Sequence, residues 1–95
     1  MNLFTKYFSE EIPIGLSFEN VMDFPDAIAS VEIKAYEMPL MTDVSDAIIS
    51  RYEIQDQICK FVVKGGVSKK RYRIIVKARS VSAYKYEGYV DMSIW

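Results

Sequence analysis

Residues 71–80 read RYRIIVKARS. Every second residue falls on a common side: Arg71, Arg73, Ile75, Lys77 and Arg79 on one, Tyr72, Ile74, Val76, Ala78 and Ser80 on the other. A period of two is that of a strand half sunk in a core. The next run, YKYEGYVDMSIW at 84–95, has the same period, with Tyr84, Tyr86, Val90, Met92 and Ile94 on one face. Placing Ser80 opposite Tyr84 across a three-residue loop sets Lys77 against Glu87, Ile75 against Tyr89 and Arg73 against Asp91. The other face then forms an apolar ladder of Ala78–Tyr86, Val76–Gly88, Ile74–Val90 and Tyr72–Met92. Opposite-charge and apolar cross-strand pairs contribute roughly 0.2–1 kcal/mol each, and like charges cost similar amounts. The one poor pair, Arg79 with Lys85, lies beside the loop. A slip of two residues sets Lys77 against Lys85 or Ile75 against Asp91. The register therefore reads as an antiparallel hairpin whose basic stripe is its solvent face.

The rest of the chain repeats this pattern. IPIGLSF at 12–18 puts Ile12, Ile14, Leu16 and Phe18 on one face, with Pro13 marking an edge or a strand start. IASVEIKAY at 28–36 buries Val31, Ile33 and Ala35 and exposes Ser30, Glu32 and Lys34. AIISRYEI at 47–54 points Ile48, Tyr52 and Ile54 inward, and ICKFVVK at 58–64 does so with Cys59, Phe61 and Val63. Gly65-Gly66 is a turn needing positive φ. It is not a phosphate loop, because the Gly-Lys-Ser/Thr ending and following helix are missing. Other turn signals lie at Asn20, Asp23 and Pro25-Asp26, at Pro39 with Thr42-Asp43, at Gln55-Asp56 and at 81–83. Short alternating strands between such turns predict an antiparallel β-sandwich of about six to seven strands. Leu3, Phe4, Tyr7 and Phe8 fit one or two helical turns or an arm that packs on a neighbour. Residues 1–9 are thus read as an N-terminal arm and 10–95 as the sandwich, which is expected to fold without the arm.

Ninety-five residues hold one domain and one core. The N-terminus has neither the basic region nor the apolar run of a signal peptide, and no apolar stretch approaches the ~20 residues of a membrane helix. Cytoplasmic folding and no membrane partner are the expectations. There is no histidine and one cysteine, which removes the usual general base and the commonest zinc ligand. Cys59 alternates with apolar neighbours as a core residue does. Asp43, Asp46, Thr42 and Ser45 lack the spacing of a calcium loop. No catalytic, cofactor or metal site is expected.

Charge is divided along the chain. Residues 1–56 carry eleven acids and three bases, and residues 57–95 carry nine bases and two acids. After the hairpin pairs are removed, Lys60, Lys64, Lys69, Lys70 and Arg71 remain around Gly65-Gly66. The candidate partner-binding residues are therefore the arm residues Leu3, Phe4, Tyr7 and Phe8 and the basic residues Lys64, Lys69, Lys70 and Arg71. Five clustered bases reach only a few phosphates, so nucleic-acid binding is expected to be weak and non-specific, with Kd about 10⁻⁴–10⁻⁶ M. Tyr36, Tyr89 and Trp95 are the outward aromatics, a composition suited to a protein interface. The apolar arm and the divided charge point to copies of the chain itself as partners.

From Phe18 to Met92 the sequence resembles a family of short tailed-phage proteins. The likeness is carried by DAIASVEIKAYE (Asp26 to Ala35 above all), by IISRYEI, and by CKFVVKGGVSKKRYRIIVKARSVSAYKYEGYVDMSI. Within the last block Val63, Gly65-Gly66, Tyr72, Arg73, Val76 and Ala78 match, as does Glu87-Gly88 to Ile94. Ser68-Lys69-Lys70 departs from the small neutral residues usual after the glycines. The resemblance implies an immunoglobulin-like fold and a non-enzymatic structural role. That role would be a virion component of the head–neck–tail region, present in the host cytoplasm during assembly, with other virion proteins as partners. It transfers no functional residue. The alternative reading is a small binding module, an inhibitor or DNA-associated factor, acting through the basic Gly-Gly turn.

Overall fold

A computed structural model describes residues 3–7, 9–23 and 25–95. Its strands are β1 (Leu3–Lys6), β2 (Ile12–Ser17), β3 (Ile28–Glu37), β4 (Thr42–Asp43), β5 (Ile49–Gln55), β6 (Ile58–Val63), β7 (Arg71–Ser80) and β8 (Lys85–Ile94). A single helical turn, α1 (Ser45–Ile48), precedes β5. The chain is mostly β, with strands ordered β1-β8-β7-β3-β4 in one sheet and β2-β6-β5 in the other.

The β7–β8 register agrees with the charge-pairing argument at every position from Tyr72–Met92 to Arg79–Lys85. Ser80 and Tyr84 close the loop through the Ser80 N–H on the Tyr84 carbonyl at 2.8 Å. Lys77 lies 4.0 Å from Glu87 in the outer row. Inside, Tyr72, Ile74, Val76, Ala78, Val90, Met92 and Ile94 are buried together with Cys59, Phe61 and Val63 of the second sheet. Both sheets therefore share one core, and burial of these side chains from water is its main favourable term. Leu16 and Phe18 reach across to Gly88, where an added Cβ would stand 3.1 Å from Leu16.

Several expectations are corrected. Leu3–Lys6 is neither a helical turn nor a free arm; it is an edge strand paired in parallel with β8, Leu3 opposite Asp91 and Lys6 opposite Ile94. Phe4 packs against the core. Lys6 is buried, and its ammonium donates to the Tyr7 carbonyl at 2.7 Å and the Glu10 carbonyl at 2.9 Å. Desolvation pushes its pKa below the ordinary lysine value, with Glu10 and Glu11 opposing. The helical turn lies instead at Ser45–Ile48. Tyr52 was expected inside. It shares the inner face with its partner Phe61 but is 54% exposed, because β5 is the last strand of its sheet. Tyr84 is likewise exposed, at the loop where β7 and β8 meet. Gly65-Gly66 does turn the chain with φ of +60° and +97°, but the turn carries it from one sheet to the other and closes no hairpin.

Candidate interaction surface

β3 ends, β7 begins and β8 and β1 end at the same pole of the molecule, as the pairings of Glu37 with Tyr72, Arg71 with Ser93 and Lys6 with Ile94 require. The loop between β6 and β7 crosses this pole. Gly65 is needed there, since a Cβ would meet the Ala47 carbonyl oxygen at 2.9 Å. The loop is held at successive points. The Lys64 N–H donates to Ile48 O (2.8 Å), the Val67 N–H to Tyr72 Oη (2.8 Å) and the Lys69 N–H to Ile94 O (2.8 Å). The Ser68 hydroxyl donates to Trp95 O at 2.6 Å. A loop tied this often presents its side chains on a fixed frame.

Trp95 joins this loop to β1. Its N–H donates to Lys6 O at 3.1 Å, and its ring lies 6.4 Å from that of Tyr7 at an interplanar angle of 26°. The two groups of sequence-derived candidates thus meet around a residue read only as an outward aromatic. Tyr7 and Trp95 are 60% and 66% exposed. Lys69, Lys70 and Arg71 are exposed beside them and Lys64 is half-buried. Lys70 is 3.3 Å from Glu37; Lys69 and Arg71 have no ion pair among the described residues. Phe4 faces the core. For Leu3 only the backbone pairing is described, and Phe8 lies outside the described residues. Leu40, Met41 and Val67 add exposed apolar surface at this pole. Their signal was weak, a short MPLM run after β3 and one valine between Gly66 and Ser68.

Asp43 is engaged locally. Its carboxylate accepts from the Ser45 hydroxyl at 2.6 Å and the Ser45 N–H at 3.0 Å, and Lys34 stands 3.7 Å away. The Ser45 hydrogen bonds hold its pKa below the ordinary carboxylate value, with Lys34 helping. Among the described residues no cluster of three or more histidine, cysteine or acidic side chains is placed to hold a metal ion.

The opposite pole is built from loops 18–27, 55–57 and 81–84. They are stitched by Phe18 N–H to Gln57 O, Ile28 N–H to Asp56 O and Val81 N–H to Ala27 O. Gln57 Nε2 donates to Asp26 O at 2.9 Å, and Asp26 accepts the Ser82 N–H at 3.2 Å. These loops contain Glu19, Asp23, Asp26 and Asp56 and no base. Val21, Val81 and Tyr84 are exposed there. The two poles lie along a long axis of 41 Å. No protein-family model matches the chain, and no curated protein matches it.

Proposed function

We propose that this chain is a non-enzymatic structural protein of a tailed phage or prophage, a virion component of the head–neck–tail region. In this reading it is an immunoglobulin-like sandwich that works by end-to-end docking on other virion proteins or further copies of itself. The observation that carries the docking reading is a contrast between two loop clusters. Loop 64–71 has four bases and no acid, while the loops at the opposite pole have four acids and no base. The basic stretch is local, since Glu10, Glu11 and Glu37 lie at the same pole as loop 64–71. Each pole also exposes apolar side chains, Trp95 and Leu40 at one and Val81 and Tyr84 at the other. Complementary charge steers association, while desolvated aromatic and aliphatic groups supply most of the affinity. Distinct complementary patches on one molecule make a head-to-tail contact that closes a ring or extends a stack.

Support for the immunoglobulin-like part comes from strand order and one corner. β2-β6-β5 beside β8-β7-β3 follows the B-E-D and G-F-C arrangement of that fold. Tyr72, at the start of the strand in the F position, binds back through its hydroxyl to the backbone of Val67, as the tyrosine corner of such domains does. The virion part rests on the resemblance of residues 18–92. Mass spectrometry of purified particles from a phage or induced prophage encoding the chain tests it. Several copies per particle are expected; absence from the particles would end the virion reading.

A further inference from the structure

Of the four terminal strands in the two sheets, three are poor templates for another strand. β1 has four residues, β4 has two, and β2 contains Pro13, which has no N–H, and Gly15. β5, ISRYEIQ, has seven residues and neither proline nor glycine. Its regular ladder with β6 runs from Arg51 to Gln55, and its one irregularity lies between Ile49 and Arg51, outside the Arg51–Glu53 segment. Ser50, Arg51, Tyr52 and Glu53 are all exposed. Tyr52 is the anomaly: it belongs to the inner face by its pairing with Phe61, and yet the residue is 54% exposed.

We infer that β5 is a self-pairing edge, joining antiparallel to β5 of a second copy about a two-fold axis at Tyr52 and extending the three-stranded sheet to six strands. The residues choose both occupant and register. With Tyr52 opposite Tyr52 of the second copy, Arg51 faces Glu53 twice, once on each side of the axis. Arg51 has no acid opposite it in its own sheet, where it faces Val62. Glu53 stands opposite Lys60, whose amine is engaged with Gln55 Oε1 at 2.7 Å. Centring the axis on Arg51 sets Arg51 against itself and Tyr52 against Ser50. Centring it on Glu53 sets Glu53 against itself. A one-residue slip places Tyr52 opposite Glu53 and turns the core face of the second copy outward. Only the Tyr52-centred register joins opposite charges and covers the exposed ring with an equal one, and aromatic pairs are among the better cross-strand contacts. This contact uses the flank of the molecule. It is independent of the poles and of any virion role.

The test uses the full chain in sedimentation experiments over a concentration series. The single changes Arg51→Glu and Glu53→Arg each create two like-charge pairs and are expected to weaken dimerisation about tenfold, a loss near 1.4 kcal/mol. The double change Arg51→Glu with Glu53→Arg restores both pairs and the affinity. Tyr52→Cys is expected to form a disulfide-linked dimer under mild oxidation, and Ser50→Cys, which faces Ile54 in this register, is not. The native Cys59 is fully buried and does not compete. A chain that stays monomeric throughout overturns the inference, as do single reversals without effect or a Ser50→Cys chain that cross-links as readily as Tyr52→Cys. Charge changes at Lys69 and Arg71 leave this dimer intact, so failure here is separable from failure of end-to-end docking.

Discussion

Arg73 grips Asp91 across β7 and β8 with both branches of its guanidinium, Nε to Oδ1 at 2.8 Å and an Nη to Oδ2 at 3.1 Å, while lying 4.3 Å over the centre of the Tyr89 ring. The fork geometry and the stacked plane are properties of arginine that lysine lacks. Arg73→Lys should therefore lower Tm by a few degrees although the charge is kept. Asp91→Asn should do the same, whereas Lys77→Arg, at the looser pair with Glu87, should leave Tm unchanged. Thermal melts of the three variants check the ranking.

Val76 and Lys77 are neighbours with opposite fates. Val76 is fully buried, and the Lys77 side chain is largely in solvent. Val76→Asp places a carboxylate in the core at a cost of several kcal/mol, comparable with the whole stability of a small domain. It should yield an unfolded chain by circular dichroism, while Lys77→Ser stays folded with an almost unchanged urea midpoint.

Tyr72 places its hydroxyl 2.8 Å from the Val67 N–H at the turn into β7. Tyr72→Phe keeps the ring in the core and deletes only that acceptor. A hydrogen bond lost in a partly buried site costs about 1–2 kcal/mol. Denaturant titration should show that loss, with faster hydrogen exchange at Val67.

Burial pushes the Cys59 thiol from 9.0 up to about 11. The folded chain keeps this proton after the unfolded chain has released it, so Cys59 leaves stability unchanged below about pH 9. Stability then falls as pH rises toward 11, by at most about 1.4 kcal/mol per unit. Cys59→Ala should remove this alkaline slope in urea titrations from pH 8 to 11. In the folded wild type the thiol should resist alkylation at pH 8 and react once urea is added.

β1 contributes Phe4 to the core and the Lys6 ammonium to two backbone carbonyls. Deleting residues 1–9 should therefore lower stability rather than merely loosen association. Lys6→Met, which leaves those carbonyls without the amine, should cost about 1–3 kcal/mol and raise hydrogen exchange at Trp95, whose N–H rests on Lys6 O.

The β7–β8 hairpin was legible because charge and apolarity filter its registers independently. Only one alignment satisfies Lys77–Glu87, Arg73–Asp91 and the Ile74–Val90 ladder together. β1 was not legible, because its partner lies about ninety positions away and runs parallel, which no local period encodes. Its spacing of apolar residues also fits a helix. Tyr52 was misplaced for a related reason: alternation identifies the inner side of a strand but not whether the strand has a neighbour to close over it. Ser45–Ile48 is too short for a 3.6-residue period to register. The basic residues after Gly66 and the aromatic Tyr7 were each visible in the sequence. Their meeting around Trp95 depends on the β1–β8 pairing and so was hidden with it.

The pairing of β1 with β8 also imposes an order in time. A ribosome makes Leu3–Lys6 well before Asp91–Ile94, so β1 is born without the strand it pairs with. While β2 to β7 emerge, β1 has nothing to pair with, and the Lys6 O that will accept Trp95 must remain hydrated. Non-local pairings of this kind are slow to form, because the loop entropy is lost before any contact compensates. The five-stranded sheet thus cannot be completed before Asp91–Ile94 is made, and nascent chains stalled before Asp91 would carry an unpaired strand end available to other chains.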